Sequence, residues 1–274
     1  ANSDAADWWD GVVGTDHVID PEKYFIVCAN ILGSCYGSTG PLSVNPVTKQ
    51  PYYNNFPLLT IRDMVNAHIL LRQHLGIAKI FLLMGGSMGG YQAMEWCVME
   101  NTVIENLLLL ATSASESAWG IATHTAQRLS LEADSTWNTA SATAGAKGLK
   151  AARAIGMLTY RNYGIMVQQQ TDADTEKTDD YKASSYINYQ GDKLVQRFNG
   201  YSYWLLTKSM DSHHLGRGRG GNLEAVLKTI TQRTLIIGIS SDILCPLTEQ
   251  HFLAKHIPDS TIIEIDSDYG HDGF

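Results

Sequence analysis

Six residues, Gly85-Gly86-Ser87-Met88-Gly89-Gly90, limit what this chain can fold into more than any other stretch. They follow Lys79–Met84 (KIFLLM), a continuous apolar run of strand length that reads as buried on both faces. They precede a helical stretch from Tyr91 to Met99. A chain that passes from a buried strand into a helix through G-x-S-x-G makes a sharp, strained turn with the serine at its apex. The flanking glycines let strand and helix approach closely. The Ser87 hydroxyl then projects above the sheet, near the positive end of the helix. The Met88 backbone N–H can face a developing oxyanion. A bare G-x-S-x-G also fits a glycine-rich turn with an incidental serine. The strand before it and the helix after it favour a nucleophile.

Buried strands alternate with helices on both sides of this turn. Tyr24–Ala29 (YFIVCA) reads as a strand, and a long Gly, Ser and Pro-rich loop runs from Gly33 to Pro57. Thr60 opens a helix, with Asp63 placed to complete a capping box, and Gly76 closes it. Ile104–Ala111, Thr234–Ser240 and Thr261–Ile265 read as further strands, and Leu247–His256 as a helix with Pro246 near its first turn. Between Ser113 and Gly216 there is no buried strand. Helical patches at Thr123–Ala133, Gly148–Thr159 and Gly191–Lys208 fill that region, with Gln168–Lys182 as an exposed connection. The pattern predicts a mostly parallel sheet with helices on both faces. Core segments at 1–115 and 217–274 would enclose a helical lid at 116–216.

Composition narrows the function. Lys and Arg number 20 against 28 Asp and Glu, a net charge of −8. Without a basic cluster such a chain is a poor nucleic-acid binder. No run approaches 18 apolar residues, so no membrane-spanning helix is expected. Four cysteines, at Cys28, Cys35, Cys97 and Cys245, form no CxxC pair, and Cys28 and Cys97 read as buried thiols. The first residues have no basic region of a signal peptide, and a reducing cytoplasm is the simplest setting.

A nucleophilic serine needs a base, and the base needs an orienting acid. In α/β-hydrolase folds these follow the serine in the order acid, then histidine, at strand ends. Asp242 comes just after the strand TLIIGIS, and His271 just after the last strand. The expected set is Ser87, Asp242 and His271. Asp242 could instead cap the turn before Pro246. Among nine histidines, His68, His74, His251 and His256 fall on helices and read as structural, and His124 falls in the lid. His213 and His214 lack further ligands at zinc spacing, so no metal site is expected.

Several stretches resemble one family. Asn30-Ile31-Leu32-Gly33-Ser34-Cys35-Tyr36-Gly37-Ser38-Thr39-Gly40-Pro41 is similar to the NxLGxCxGSTGP signature of homoserine O-acetyltransferases. So are Phe56-Pro57 with Thr60 and Asp63, the glycine-flanked Ser87, Glu95-Trp96, and Gly148-Leu149 through Arg153. Thr159-Tyr160-Arg161, Gly216-Arg217-Gly218-Arg219-Gly220 and Gly270-His271-Asp272 complete the series, in the family's order. The resemblance implies an α/β-hydrolase-fold acyltransferase with a helical lid, usually a homodimer. It implies ping-pong transfer of an acyl group from acetyl-CoA to the hydroxyl of L-homoserine, toward methionine, with no further cofactor. Ser87 would be the nucleophile, His271 the base and Asp242 its partner. Arg153 would clamp the homoserine carboxylate, a bidentate match of guanidinium to carboxylate. Asp272 would hold its ammonium. Arg217 and Arg219 could attract CoA phosphates or pin the lid to the core. His214 stands where the family more often has an acid. Segments that the family carries before Ala1, with an oxyanion-donating loop, and after the His-Asp pair are not in the sequence, so a fragment of a longer protein is expected. The alternatives are a succinyl-CoA-dependent enzyme, a serine esterase of the same fold, or a non-catalytic relative.

Overall fold

A computed structural model describes Trp9 and residues 11–273. The chain divides into two compact units, residues 1–30 and 31–274. In the first, the described residues form turns, and a single parallel bridge joins Val13 to Ile19. The segment 24–29, expected as a strand, is not one. Its β-branched and aromatic residues favour a strand, but propensity without a paired, half-buried surface does not make a ladder. Phe25 is 78% exposed, and Cys28, expected to be buried, is exposed with it.

The second unit is built on a four-stranded, all-parallel sheet. Its strands are β1 (Ile80–Gly86), β2 (Ile104–Leu110), β3 (Arg233–Ile239) and β4 (Ser260–Ile265), paired in chain order. The registers are set by pairs such as Leu83 with Leu107, Leu108 with Leu235, and Ile236 with Ile262. Parallel neighbours need crossover helices, and the sequence supplies them. Helix α1 (Ile61–His74) starts at Thr60 with the expected capping box: Thr60 Oγ1 accepts from Asp63 N–H, and the Asp63 carboxylate accepts from Thr60 N–H. It ends in a Schellman turn. Gly76 sits at φ +67°, Ile77 N–H reaches Arg72 O at 3.1 Å, and Gly76 N–H reaches Gln73 O at 3.0 Å. Helix α2 (Met88–Met99) connects β1 to β2 and packs on both, with α1 against it.

The core joins α1, α2 and the sheet through Met64, Met94, Cys97, Leu107, Leu109 and Ile236, all of them buried. Each such side chain taken from water contributes about 1.5–3 kcal/mol before chain entropy is charged. One expectation fails here. β1 is not buried on both faces: it is an end strand of the described sheet, and Phe81 is 53% exposed.

Five of the helices between β2 and β3 form the insertion: α3 (Ala118–Glu132), α4 (Ala146–Tyr160), α5 (Tyr163–Gln170), α6 (Lys182–Val195) and α7 (Gly200–Asp211). They have a core of their own, formed by Leu131, Trp137, Leu149, Ala152, Leu194 and Tyr201. The single helical patch expected at 191–208 is two helices. Asn199 breaks it by accepting the Ser202 N–H and capping α7. The short α8 (Leu223–Leu227) precedes β3, and α9 (Leu247–His256) packs against β3 and β4.

Candidate functional site

Ser87 stands between β1 and α2 at φ +51°, ψ −123°, a conformation that non-glycine residues avoid. Holding it costs about 1–3 kcal/mol. Two neighbouring contacts impose the turn. A Cβ on Gly85 would lie 2.2 Å from Gly89 O, and one on Gly90 would lie 2.4 Å from Thr112 Oγ1. The backbone is tied down on both sides. Ser87 N–H donates to Leu110 O at 2.9 Å, and the Thr112 hydroxyl donates to Ser87 O at 2.8 Å. Met88 is the first residue of α2, where a helix leaves its N–H groups without intrahelical acceptors.

Asp242 follows β3 with its side chain fully buried. Its two oxygens have different tasks. Oδ1 accepts the N–H groups of Leu244 and Cys245 at 2.8 and 2.9 Å, and so caps the turn before Pro246. Oδ2 lies 2.7 Å from His271 Nδ1. The turn-capping role and the His-orienting role, alternatives in the sequence, coexist on one carboxylate.

His271 lies on a 3-10 turn after β4, at 270–273, and is buried. Its Nε2 is 2.8 Å from Ser87 Oγ. With Nδ1–H donated to Asp242, the Nε2 lone pair faces the serine hydroxyl. The loop is fixed by Ser241, whose hydroxyl bonds Ser267 O and accepts from Gly270 N–H at 3.0 Å. Gly270 has φ +67°, and a Cβ there would meet Tyr160 O at 2.6 Å. The histidine turn is therefore pressed directly onto the end of α4.

The other two expected site residues are brought to the same place. Arg153, on α4, is half-buried with its guanidinium over the Tyr160 ring, 5.4 Å from the centroid. Among the described residues, no carboxylate lies within ion-pair distance of it. Asp272 adjoins His271 and lies 3.4 Å from Arg161 Nε. Tyr160 links the groups: its ring is 5.7 Å from that of His271, tilted by 33°. Burial pushes the Tyr160 hydroxyl above its ordinary pKa, with the Arg153 charge opposing. Sequence reasoning gave Tyr160 and Arg161 no role. A usable signal existed, since the seven-residue spacing from Arg153 to Tyr160 puts both on one helical face.

The remaining candidates have structural partners. Arg219 forks onto Glu95 at 2.5 and 2.7 Å, and Arg62 reaches the same carboxylate at 2.5 Å. Burial alone would raise the Glu95 pKa, but the two guanidiniums more than offset it and hold the carboxyl below its usual range. Arg217 donates from Nε to Ser212 O at 3.2 Å. His213 is buried, stacked on Tyr91 at 4.0 Å and bonded to Ser113 O, and burial lowers its pKa to about 4. His124 pairs with Asp211 at 2.8 Å, and His68 stacks on Trp96. Among the described residues, no group of three or more His, Cys, Asp or Glu is arranged to hold a metal, and no helix is long and apolar enough to cross a membrane.

A strained serine between strand and helix, a histidine after the last strand and an acid after the one before it define a class. The chain belongs to the α/β-hydrolase fold family, whose sequence profile matches residues 6–274. Solved structures agree on the fold. The homoserine O-acetyltransferase of Bacillus anthracis superposes with a TM-score of 0.91 at 23% identity, covering 99% of this chain and 78% of that one. An acetylester hydrolase of Corynebacterium glutamicum gives 0.84 at 24% identity, covering 96% and 75%. Sequence relatives are more specific. The homoserine O-acetyltransferase of Cyclobacterium marinum is 50% identical over 98% of this chain and 76% of its own length. That of Chlorobaculum tepidum is 44% identical over 100% and 77%. Within its fold family the chain belongs with the homoserine O-acetyltransferases.

Proposed function

We propose that this protein transfers the acetyl group of acetyl-CoA to the side-chain hydroxyl of L-homoserine, giving O-acetyl-L-homoserine for methionine synthesis. The observation that carries the reading is the continuous hydrogen-bonded path from Asp242 Oδ2 through His271 to Ser87 Oγ, at 2.7 and 2.8 Å. His271 takes the Ser87 proton as Oγ attacks the thioester carbon, and the Met88 N–H stabilises the oxyanion. Collapse of the tetrahedral intermediate expels CoA, which leaves with the proton from His271 and an acetyl-serine behind it. Homoserine enters next. Arg153 binds its carboxylate and Asp272 its ammonium, which turns the side-chain hydroxyl toward His271. His271 deprotonates that hydroxyl, the ester forms, and Ser87 recovers its proton. The thioester supplies the driving force, so acetyl-CoA acts as a substrate and no resident cofactor is needed.

The uncommitted charge of Arg153 favours an amino-acid acceptor over water, because a simple ester hydrolase has no carboxylate to bind there. Family membership further supports a homodimer working in the cytoplasm. The test is CoA release from acetyl-CoA with and without L-homoserine, for the wild type and Ser87→Ala. Release that depends on homoserine and vanishes in Ser87→Ala supports the transferase. Release indifferent to homoserine makes the protein a hydrolase. A preference for succinyl-CoA replaces the acetyl donor.

A further inference from the structure

We infer that Arg161 is a positioning residue for the amino-acid acceptor and acts by fixing the Asp272 carboxylate. The inference rests on the proposed role of Asp272 toward the acceptor ammonium. Three observations carry it. Arg161 Nε stands 3.4 Å from Asp272 Oδ2, close enough for charge attraction, yet it makes no hydrogen bond although the atom is buried. The guanidinium also lies over the Tyr269 ring, 5.8 Å from centroid to Cζ. The backbone under both side chains is locked, because a Cβ on Gly270 would meet Tyr160 O at 2.6 Å, Asn162 N at 3.0 Å and the Arg161 carbonyl carbon at 3.1 Å.

Among the described residues, no second cation lies within ion-pair distance of Asp272. Arg161 thus touches the carboxylate from one side, off the hydrogen-bonding direction. The lone pairs of the other oxygen remain available to an ammonium. A carboxylate held loosely on a short turn would otherwise be ordered by each arriving acceptor, at a cost in affinity. Arg161 orders it beforehand. It also ties Asp272 to the helix that carries Arg153, since Arg161 directly follows Tyr160, the last residue of α4.

The test is a double-mutant cycle with Arg161→Gln, Asp272→Asn and the pair, read as the KM for homoserine, kcat, and the burst of CoA release without acceptor. Arg161→Gln is expected to raise the homoserine KM roughly three- to tenfold, the cost of leaving one side chain to be ordered by the ligand. The CoA burst should slow far less than that. Arg161→Lys should recover part of the loss, and it serves as the second variant if Arg161→Gln folds poorly. The double variant should be no worse than Asp272→Asn alone, because Arg161 acts through that carboxylate. An unchanged KM in Arg161→Gln, with Asp272→Asn impaired, overturns the inference and leaves the role of Asp272 standing. A burst slowed in proportion to KM also overturns it, since Arg161 would then support the His271 turn in general. An unchanged KM in Asp272→Asn removes the role of Asp272 itself, and the inference with it.

Discussion

The backbone of Ser87 costs folding stability at the turn that presents its hydroxyl to His271. Its φ of +51° is comfortable only for glycine. Ser87→Gly should therefore raise the stability by about 1 kcal/mol while abolishing acetyl transfer; urea unfolding alongside the CoA assay checks both. The pH dependence has its own residue. His213 has a native pKa of about 4, below the usual value near 6.5. Between those values the unfolded chain binds the extra proton, so stability falls as pH drops through the window and levels off below it. The loss is at most roughly 3 kcal/mol. His213→Gln should flatten the dependence of unfolding free energy on pH between about 6.5 and 4. Glu116 works in the opposite direction, since burial raises its pKa and its ionisation costs stability as pH rises. Its signature, a loss of stability as pH rises above the ordinary Glu range, has the opposite sign and survives in His213→Gln.

Among the elements, those set by local rules were legible in the sequence. The strand–turn–helix around Ser87 needs only neighbouring glycines and an apolar run, and the capping box of α1 needs two side chains three residues apart. What depends on partners elsewhere was not legible. YFIVCA has strand composition and forms no strand, and β1 has core composition and lies at a sheet end. The break between α6 and α7 carried a local signal, Asn199 followed three residues on by Ser202, which helical periodicity masked. The site divides the same way. Chain order located Asp242 and His271, whereas the contact of Tyr160 and Arg161 with the histidine turn joins distant segments. Gly270→Ala tests that contact. With φ at +67° and backbone 2.6 Å from the new methyl group, the variant should lose about 2 kcal/mol or more. It should also lose acetyl transfer as His271 shifts; thermal unfolding and the CoA assay report the two losses separately.

Across the whole molecule, the helical insertion is fastened at its root. Its two connections run side by side. Glu116 N–H donates to His213 O at 2.9 Å, and Leu215 N–H donates to Ala114 O at 3.0 Å. Just beyond, Arg219 crosses to Glu95 on α2. Glu95, 5% exposed at its side chain, is the anion that two cations share. Glu95→Gln should cost roughly 2 kcal/mol, reduced from the value for a fully buried pair because both arginines are partly exposed. The loss should be largest in low salt, as measured by urea unfolding at two ionic strengths.

Ser87 and His271 are 184 residues apart, and that separation has a consequence for the chain as it is made. At translation speeds of about 5–20 residues per second, the serine leaves the ribosome roughly 10–40 s before its base. An unassisted serine hydroxyl is a weak nucleophile. The nascent chain can carry Ser87 past thioesters without consuming any. β4 and the His271 turn, made well after Ser87, complete the proposed site, so a chain interrupted before them is harmless rather than half-active.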